Sequence, residues 1–535
     1  MKNRFFKREL VLGIILLFVG ASITPVLSRD VEKINEVDNK YFLGNPPEEE
    51  WNKTFGGTET DAGYSVQQTA DGGYIITGLT ASYEPTGVWL IKTDSNGDEE
   101  WNKTFGGSFM FGYFVQQTTD GGYIITGYSG YYPLYTTALL IKTDLNGDEE
   151  WNKTFGGGTD MDAGYSVQQT TDGGYIVTGS TGSNFVGDVW LIKTDSDGDE
   201  EWNKTFGRTE WDFGNSVQQT ADGGYIITGC TDFNPYGSGN TDVWLIKTDS
   251  DGDEVWNTTF GGSDDDYGLS GQQTTDDGYI ITGYTYSYGP GCKDVWLIKT
   301  DSNGDEEWNK TFGGKCHDYG LSGQQTTDGG YIIISGTECY GAGSSDVWLI
   351  KTDSDGNEEW NKTIGGTHID YGLSGQQTSD GGYIIAGYTY SYGAGLVDVW
   401  LIKIGNNIPP YAPTITGPTS GKPGQSLTFT FNVDDPDGDD VRFKIDWGDG
   451  SSDTTGFVHS GTDKSVSHIW GVEDTYTITA YAEDEYGDSG PSTTKQVTIP
   501  RNKLINNLFL NFLQSHPNWF LLLQKLLLQL GHITQ

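Results

Sequence analysis

The chain has 535 residues, which is long enough for more than one domain and a large core. Its 75 acidic and 31 basic residues give a net charge of −44, which repels nucleic-acid phosphates and anionic lipid surfaces. Its 78 glycines, 31 tyrosines and 17 tryptophans are typical of many short strands joined by tight turns. The composition therefore predicts an all-β protein that does not bind nucleic acid.

Residues 1–28 have the plan of a secretory signal. Four basic residues precede an apolar run over 10–21, and small residues follow, so cleavage is expected near Ser28. An uncleaved N-terminal anchor is the alternative, although the run is short for a membrane span and Pro25 interrupts its end. Both interpretations place the bulk of the chain outside the cytoplasm, secreted or at the cell surface, with residues 29–48 as a linker.

Near copies of Trp-Asn-Lys-Thr-Phe-Gly-Gly recur along the chain at a spacing of 50 to 54 residues. They start at Trp51, Trp101, Trp151, Trp202, Trp256, Trp308 and Trp360. Three further strand-like runs separate successive copies, at 63–69, 73–78 and 88–94 in the first repeat. A period of this length marks one structural unit, and each unit is predicted to supply four strands.

The repeats predict a ring of sheets. Asp71 and Gly72 link the first two runs of a repeat, and Asp-Gly is a strong hairpin signal because it tolerates positive φ. The run at 88–92 is almost continuously apolar, so both of its faces should be covered. Seven such units predict a seven-bladed β-propeller over 49–405, whereas a parallel β-helix has shorter coils without these hairpins. The array opens with an outer strand and ends at 399–403 without one, so the first strand is expected to complete the last blade.

The turn Asp94-Ser95-Asn96-Gly97-Asp98 also recurs, and its carboxylates raise the question of a calcium loop. An EF-hand loop has glycine at its sixth position and a glutamate at its twelfth, whereas this glycine is the fourth residue. Asn-Gly or Asp-Gly at the bend is what a hairpin requires, so the stretch predicts the corner between the third and fourth strands. Loose, collective binding of calcium by several such corners stays open as the alternative.

Candidate binding residues are expected on the variable loops at the other end of the ring. Thirteen tryptophans at fixed repeat positions predict packing between blades, whereas Trp211 is off this pattern and is the better candidate for stacking on a ligand. An aspartate recurs two residues before the glycine of the innermost strand. It either binds cations or a basic partner, or it holds the loop in place by accepting hydrogen bonds. These aspartates are Asp61, Asp162, Asp212, Asp266, Asp318 and Asp370. The predicted ligand-binding residues are Trp211, Asp212, Asp266, His317, Asp318, His368 and Asp370.

Two covalent modifications are predicted. An Asn-x-Thr motif in each copy of the repeat offers glycan acceptors, although the motif is inherited with the repeat and counts as one observation. The acceptors are Asn52, Asn102, Asn152, Asn203, Asn257, Asn309 and Asn361. One disulfide is expected among Cys292, Cys316 and Cys339, with Cys292 and Cys316 as the predicted pair. A metal site built on Cys316 and His317 is disfavoured because no further ligands follow at regular spacing.

After a proline-bearing linker, residues 411–500 predict an independent all-β domain. The stretches IDWGDGS at 445–451, SVSHIW at 465–470 and DTYTITAYAEDEYG at 474–487 resemble the polycystic-kidney-disease (PKD) domain family. The sequence departs from the family at 473–475, where Glu-Asp-Thr replaces the usual Pro-Gly-Thr. The resemblance implies an immunoglobulin-like β-sandwich used as a spacer or adhesion module in extracellular and surface proteins, archaeal ones included.

The repeats resemble, more loosely, those of exported bacterial and archaeal propeller proteins, and that resemblance implies no settled activity. Within the PKD-like segment, Asp-Asp-Pro-Asp-Gly-Asp-Asp at 434–440 predicts either a calcium site with Asp434, Asp437 and Asp439 as ligands or a solvated turn.

The tail at 501–535 changes to a leucine-rich composition. Its segment 520–530 predicts a short C-terminal helix that is too short and too interrupted for a membrane span. Such a helix lies on a membrane surface, contacts another protein or packs on its own domains.

No Gly-x-Ser-x-Gly, His-Glu-x-x-His or phosphate-loop motif occurs in the sequence. We therefore expect non-catalytic binding or adhesion to a cell-surface glycan or protein, with calcium as the only cofactor considered. The alternatives are a secreted carbohydrate-active hydrolase that uses acidic residues at the mouth of the propeller, and a structural envelope component.

Overall fold

The computed structural model describes residues 46–107, 109–131, 135–157, 160–183, 186–207, 210–233, 241–500, 511–512, 514–516 and 521. The predicted signal at 1–28 and most of the linker at 29–48 lie outside the described residues.

Short strands make up nearly all of the regular structure. Those of the repeat region are β1 (Glu49–Phe55), β2 (Asp61–Gln68), β3 (Tyr74–Thr80), β4 (Gly87–Thr93), β5 (Glu99–Phe105), β6 (Met110–Gln117), β7 (Tyr123–Tyr131), β8 (Tyr135–Thr143), β9 (Glu149–Phe155), β10 (Ala163–Gln169), β11 (Tyr175–Ser183), β12 (Val186–Thr194), β13 (Glu200–Phe206), β14 (Trp211–Gln219), β15 (Tyr225–Phe233), β16 (Asp242–Thr248), β17 (Glu254–Phe260), β18 (Asp266–Gln273), β19 (Tyr279–Thr285), β20 (Asp294–Thr300), β21 (Glu306–Phe312), β22 (Asp318–Gln325), β23 (Tyr331–Thr337), β24 (Asp346–Thr352), β25 (Glu358–Ile364), β26 (Asp370–Gln377), β27 (Tyr383–Thr389) and β28 (Asp398–Ile404).

Among the described residues, hydrogen bonding groups these strands into seven antiparallel units of four strands. The first unit is β2-β3-β4-β5, the next five follow the same order, and the last is β26-β27-β28-β1. A single parallel bridge between Gly187 and Trp211 joins the third unit to the fourth. The second and third strands of a unit are buried along their length, as in Tyr74–Thr80 and Gly87–Thr93, because neighbouring units cover both faces.

Hydrophobic clusters fill the seams between consecutive units. In one seam, Ile332 and Leu349 of one unit pack with Ile385 and Trp400 of the next. Each such side chain stabilises the fold by about 1.5–3 kcal/mol when it is fully buried. Equivalent clusters occur in the other seams, so the alternation of apolar residues in each repeat is explained by packing between units.

The two ends of the repeat region meet. Strand β1 pairs with β28, and the Trp400 indole donates a hydrogen bond to Asn52 Oδ1 at 3.2 Å. A further cluster packs Ile76 and Trp89 of the first repeat against Leu401 of the last. Apart from the bridge between the third and fourth units, the units stay distinct hydrogen-bonded sheets, and they do not merge into one continuous barrel. The all-β class is confirmed, while the closed seven-bladed ring stays a prediction.

Tight turns end the hairpins at one end of each unit. In the stretch 94–98, Asp94 Oδ1 accepts hydrogen bonds from the backbone N–H of Asn96 at 2.8 Å and of Asp98 at 2.9 Å. Gly97 has φ +74° and leaves no room for a Cβ beside the ring of Trp51, so both the turn and the neighbouring indole require glycine. The carboxylate of Asp94 therefore organises a hairpin corner.

Residues after the linker form a second all-β domain. Its strands are β29 (Thr414–Thr416), β30 (Ser426–Asn432), β31 (Val441–Asp446), β32 (Ser452–Thr454), β33 (Lys464–Ile469), β34 (Asp474–Asp484) and β35 (Thr493–Ile499). They form the sheets β29-β30-β33 and β32-β31-β34-β35, which enclose one core. Trp447 and Trp470 lie fully buried in this core with ring centroids 5.8 Å apart.

Of the tail, residues 511–512, 514–515 and 521 are helical. The rest of the predicted helix at 520–530 lies outside the described residues. Within the described part of the chain, no helix has the length and apolar character needed to cross a membrane.

Candidate functional site

The variable loops gather at the end of each unit opposite the tight turns. We call the segments 56–60, 81–86, 286–293, 313–317, 338–345, 365–369 and 390–397 the variable-loop rim. They lead into the innermost and third strands of the last three repeats and of the first repeat.

The recurring aspartates of the innermost strands organise these loops. Asp370 is fully buried, and its carboxylate accepts hydrogen bonds from Gly366 N at 2.7 Å and from Ser391 Oγ at 2.7 Å. The hydroxyl of Thr389 and the backbone N–H of Ser391 donate to the other oxygen of Asp370. Asp266 is held in the same way by the corresponding residues of its repeat. These carboxylates hold the loop ends together, and they have little surface to offer a soluble ligand.

Trp211 does not lie on the surface. Its side chain is 7% exposed and stacks on Phe213 with ring centroids 5.5 Å apart. The prediction of Trp211 as a stacking platform is therefore wrong, because the off-pattern tryptophan fills the seam where β12 and β14 meet. Asp212 beside it is fully buried and accepts a hydrogen bond from the Thr231 hydroxyl at 2.5 Å.

The two histidines differ in exposure. His368 is exposed, and its Nδ1 lies 3.0 Å from the Thr367 hydroxyl. His317 is half-buried, and its Nδ1 has no hydrogen-bond partner among the described residues. Asp318, the next residue, is fully buried, and burial raises the pKa of its carboxyl. No set of three metal-ligating side chains gathers around either histidine in the described part of the chain.

The predicted pairing of Cys292 with Cys316 is wrong. Cys316 is bonded to Cys339, and Cys292 is free and exposed. Cys316 lies just before β22 and Cys339 just after β23 of the same unit, and the backbone N–H of Cys316 points at Cys339 Sγ. Sequence spacing does not distinguish the two pairings because all three cysteines lie on neighbouring loops.

Four exposed tyrosines recur on the rim in four consecutive repeats, counting the first repeat as the neighbour of the last. They are Tyr83, Tyr288, Tyr340 and Tyr392, with exposed fractions of 43%, 44%, 43% and 45%. Each packs one side against the tryptophan of its own third strand at centroid distances of 5.2–5.4 Å. The hydroxyl groups of Tyr83 and Tyr392 donate to the carbonyls of Gly56 and Gly365 at 3.0 and 3.1 Å. The rings are thus held in fixed orientations with part of each ring open to solvent.

Sequence reasoning missed a second aspartate in each of several repeats. Asp294, Asp346 and Asp398 are the first residues of the third strands of the last three repeats and are 0–1% exposed. The recurring Asp-Val-Trp-Leu-Ile-Lys motif was a signal that could have identified them. They lie beside the aspartates of the innermost strands, because Asp318 N donates to Lys293 O at 3.0 Å and Asp370 N to Ser345 O at 2.8 Å.

The glycan acceptors also have a structural role. Asn309 Oδ1 accepts a hydrogen bond from the Trp296 indole at 3.2 Å, and its Nδ2 donates to Glu306 at 2.6 Å. The other repeats with a tryptophan at this position show the same pair of contacts. The asparagine therefore has a packing role in the repeat, whether or not it carries a glycan.

A separate acidic cluster lies in the second domain. Asp435, Asp437 and Asp439 each offer an oxygen within 4.8 Å of the others. The structure puts Asp435 in place of the predicted Asp434, since Asp434 is exposed whereas Asp435 turns inward and accepts hydrogen bonds from the backbone of Asp437 and Asp439. Asp435 Oδ2 is buried and has no hydrogen-bond partner among the described residues.

The surroundings of this cluster are acidic. Burial, followed by the charges of Asp435 and Asp437, raises the pKa of Asp439 to about 6. Asp437 Oδ2 accepts a hydrogen bond from the backbone of Ile408 at 2.5 Å, which ties the cluster to the linker between the domains. An oxygen-rich group of this kind suits calcium.

The structure thus defines an all-β protein in which seven repeated four-stranded units precede an immunoglobulin-like sandwich. Residues 412–497 match the PKD domain family, so the second domain is a PKD domain. PKD domains typically occur in extracellular or surface proteins, which suggests an extracellular, adhesion-type module.

Two solved structures are similar to this segment. The PKD domain of an M14-like peptidase from a Thermoplasmatales archaeon is 38% identical and covers 18% of this chain and 99% of its own length, with a TM-score of 0.18. The PKD domain of the human VPS10 domain-containing receptor SorCS2 is 16% identical and covers 17% of this chain and 76% of its own, with a TM-score of 0.14. No curated protein matches the chain.

Proposed function

We propose that this chain is a secreted or cell-surface binding protein whose ligand is a glycan or a protein held at the variable-loop rim. The observation that carries this proposal is the set of rigid tyrosines, Tyr83, Tyr288, Tyr340 and Tyr392. Each exposes close to half of its surface while its other side is packed on a tryptophan. A preordered aromatic side chain loses little conformational entropy on binding, which is why tyrosine is common in binding surfaces.

We further propose that the seven units are the blades of a closed propeller. Support comes from the pairing of β1 with β28 and from contacts between the first and last repeats, including a hydrogen bond from Ser379 N to Gln68 Oε1 at 2.8 Å. Closure removes the exposed edges of the first and last sheets. It also makes the repeats that carry the four tyrosines neighbours on one arc of the rim.

Export is part of the same proposal. The basic and apolar pattern of residues 1–28 and the PKD domain both favour a location outside the cytoplasm. Contact with a membrane or protein through the C-terminal tail belongs to the proposal as well, since its leucine-rich segment favours an apolar surface. The loose resemblance of the repeats to those of exported archaeal and bacterial propeller proteins favours an archaeal or bacterial surface protein.

A secreted hydrolase is the second candidate. Its support is the number of acidic residues at the rim, yet the innermost aspartates are engaged by hydrogen bonds and are 0% exposed, as in Asp266 and Asp370. A glycosidase needs two carboxylates that both reach the substrate. A structural envelope component is the third candidate, and it predicts self-assembly without binding of a soluble ligand.

Calcium binding by the PKD domain is a separate proposal. Its support is the convergence of Asp435, Asp437 and Asp439, together with the unpartnered, buried Asp435 Oδ2. An ion there would neutralise the carboxylates and tie the linker at Ile408 to the domain.

A glycan array and hydrolysis assays on polysaccharides, run on the full chain, test the binding proposal. A Tyr83→Ala, Tyr288→Ala, Tyr340→Ala and Tyr392→Ala variant should lose at least tenfold in affinity for any glycan or protein that the native chain binds. Tyr411→Ala is the matched control, because Tyr411 is 61% exposed but lies in the linker. Turnover of a polysaccharide that is abolished by Asp370→Asn, in protein that remains folded, would favour the hydrolase instead.

A further inference from the structure

Pairs of buried carboxylates lie in three consecutive seams of the variable-loop rim. The pairs are Asp294 with Asp318, Asp346 with Asp370, and Asp398 with Asp61. In each pair, the residues just before the two aspartates form a parallel bridge, as Ser345 does with Ile369, so the two carboxylates lie side by side. All six aspartates are 0–1% exposed.

No basic group compensates these pairs. Among the described residues, no lysine, arginine or histidine forms an ion pair with any of the six carboxylates, whereas the acidic hairpin turns at the other end each have a lysine partner. Burial is the largest cause that raises the pKa of Asp346. Backbone hydrogen bonds oppose this shift, and the charge of Asp370 adds to it. Two buried like charges are costly, so each pair needs either a proton or a cation.

In two of the three strand-entry aspartates, Asp346 and Asp294, one carboxylate oxygen lacks a donor among the described residues. Asp346 Oδ2 accepts the Gly343 N–H at 2.9 Å, but Asp346 Oδ1 is buried and has no hydrogen-bond partner among the described residues. The two oxygens of Asp294 differ in the same way. Gly291 N donates to Oδ2 at 3.0 Å, whereas Oδ1 has no hydrogen-bond partner among the described residues.

Backbone carbonyl oxygens converge on the same place. A Cβ placed on Gly343 would collide with the carbonyl oxygens of His368 and Gly366, the latter at 2.8 Å, and would lie 3.2 Å from Asp346 Oδ1. In the next seam, a Cβ on Gly395 would lie 2.5 Å from Gly57 O, 2.8 Å from Glu59 O and 3.4 Å from Asp398 Oδ1. In the third seam, a Cβ on Gly291 would lie 2.6 Å from Gly314 O, 2.8 Å from Cys316 O and 3.2 Å from Asp294 Oδ2, the oxygen that also accepts the Gly291 N–H.

A shared proton does not account for this shell. A proton satisfies one pair of oxygens, whereas beside Gly343 the unpartnered Asp346 Oδ1 and two carbonyl oxygens face the same point. A shell made only of acceptors suits a hard cation, and calcium takes carboxylate and backbone carbonyl oxygens in flexible numbers.

We propose that each of these three seams binds one calcium ion through its strand-entry aspartate, Asp294, Asp346 or Asp398, and two carbonyls of the adjoining loop. The neighbouring Asp318, Asp370 or Asp61 supplies the second negative charge while its own hydrogen bonds hold the loop. The ions fix the loops 286–293, 338–345 and 390–397, which carry Tyr288, Tyr340 and Tyr392. The sites are separate from the acidic cluster of the PKD domain, and they do not depend on what the rim binds.

The repeats contain an internal comparison. In the first repeat Gly87 replaces the strand-entry aspartate, and Met110 replaces the aspartate of the next innermost strand. The sulfur of Met110 there occupies the space beside Gly106, where a carboxylate lies in other repeats. Both acidic groups are absent from this seam, so we expect it to bind no ion.

Calcium titration of the full chain, stripped with a chelator, tests the proposal by calorimetry and elemental analysis. An Asp435→Asn and Asp439→Asn variant, which removes the PKD cluster, should still bind three calcium ions tightly. An Asp294→Asn, Asp346→Asn and Asp398→Asn variant should bind three fewer ions than the native chain, and Asp346→Asn alone one fewer. Asp162→Asn is the matched control and should leave the number unchanged, because Thr137 stands at the strand-entry position of its seam.

Two results would overturn the proposal. One is the absence of tight calcium binding in the variant that lacks only the PKD cluster, a measurement that does not depend on whether the rim variants fold. The other is an unchanged calcium number in the folded Asp346→Asn protein, which would mean that the pair shares a proton.

Discussion

The two ends of the repeat units differ in how the charges of their carboxylates are compensated. At the tight turns, the Lys351 side chain is 4% exposed and its Nζ lies 2.8 Å from both Asp328 and Glu359, which are largely solvated. At the variable-loop rim, the paired aspartates are buried, and no lysine within the described part of the chain forms an ion pair with them. The net charge of −44 is therefore compensated unevenly. At the turns, lysines of the repeat neutralise the carboxylates, whereas at the rim the carboxylates need backbone donors or ions from solution.

The largest effect should come from the rim. Asp370→Ala leaves the buried donors of Gly366, Thr389 and Ser391 without an acceptor. Because a lost charged hydrogen bond and an unsatisfied buried donor each cost on the order of 1–3 kcal/mol, we expect a loss of about 3 kcal/mol in the free energy of unfolding. Urea unfolding measures this loss of stability. Asp380→Ala at the turns is the control and should cost less, since the Asp380 side chain is 54% exposed.

A smaller loss is expected at the turns. Lys351→Met keeps the buried stem but removes the ammonium group, and with it the bonds to Asp328, Glu359 and the carbonyl of Thr352. The carboxylates stay solvated, so we expect a loss of about 2 kcal/mol by urea unfolding. A loss as large as that of Asp370→Ala would contradict the contrast between the two ends.

The acidic cluster of the PKD domain should respond to pH in the absence of calcium. The folded pKa of Asp439, about 6, lies above its unfolded value near 4, so protonation stabilises the folded state fully below about pH 4. This contribution is lost as the pH rises through about 6. Asp439→Asn should therefore raise the melting temperature at pH 7 by a few degrees and have little effect at pH 4. Equal shifts at both pH values would show that the charge of Asp439 is not the cause.

The smallest effect is expected for the exposed bridges between neighbouring repeats. Lys103 lies 2.7 Å from Asp148, with side-chain exposures of 35% and 69%. An exposed pair contributes about 0–1 kcal/mol and is screened by salt. Lys103→Met should lower the free energy of unfolding by less than about 0.5 kcal/mol, and 1 M NaCl should abolish the difference. A salt-independent loss similar to that of Lys351→Met would show that burial does not set the energy of these bridges.

The sequence by itself determined the strand units. The period of the WNKTFGG motif and the Asp-Gly turns predicted four strands in each repeat, because hairpin turns and two-sided burial are local properties of the chain. The WGDGS turn at 447–451 and the strands around it likewise identified the PKD domain, since these residues form its core and corner.

Only the tertiary structure decided which side chains meet. Trp211 and Phe213 stack in a seam between units, Cys316 bonds Cys339 instead of Cys292, and Asp435 replaces Asp434 in the acidic cluster. In each case the answer depends on which way a side chain points across a contact between distant segments. Local sequence specifies the strand on which a residue lies, whereas packing between units specifies its neighbours.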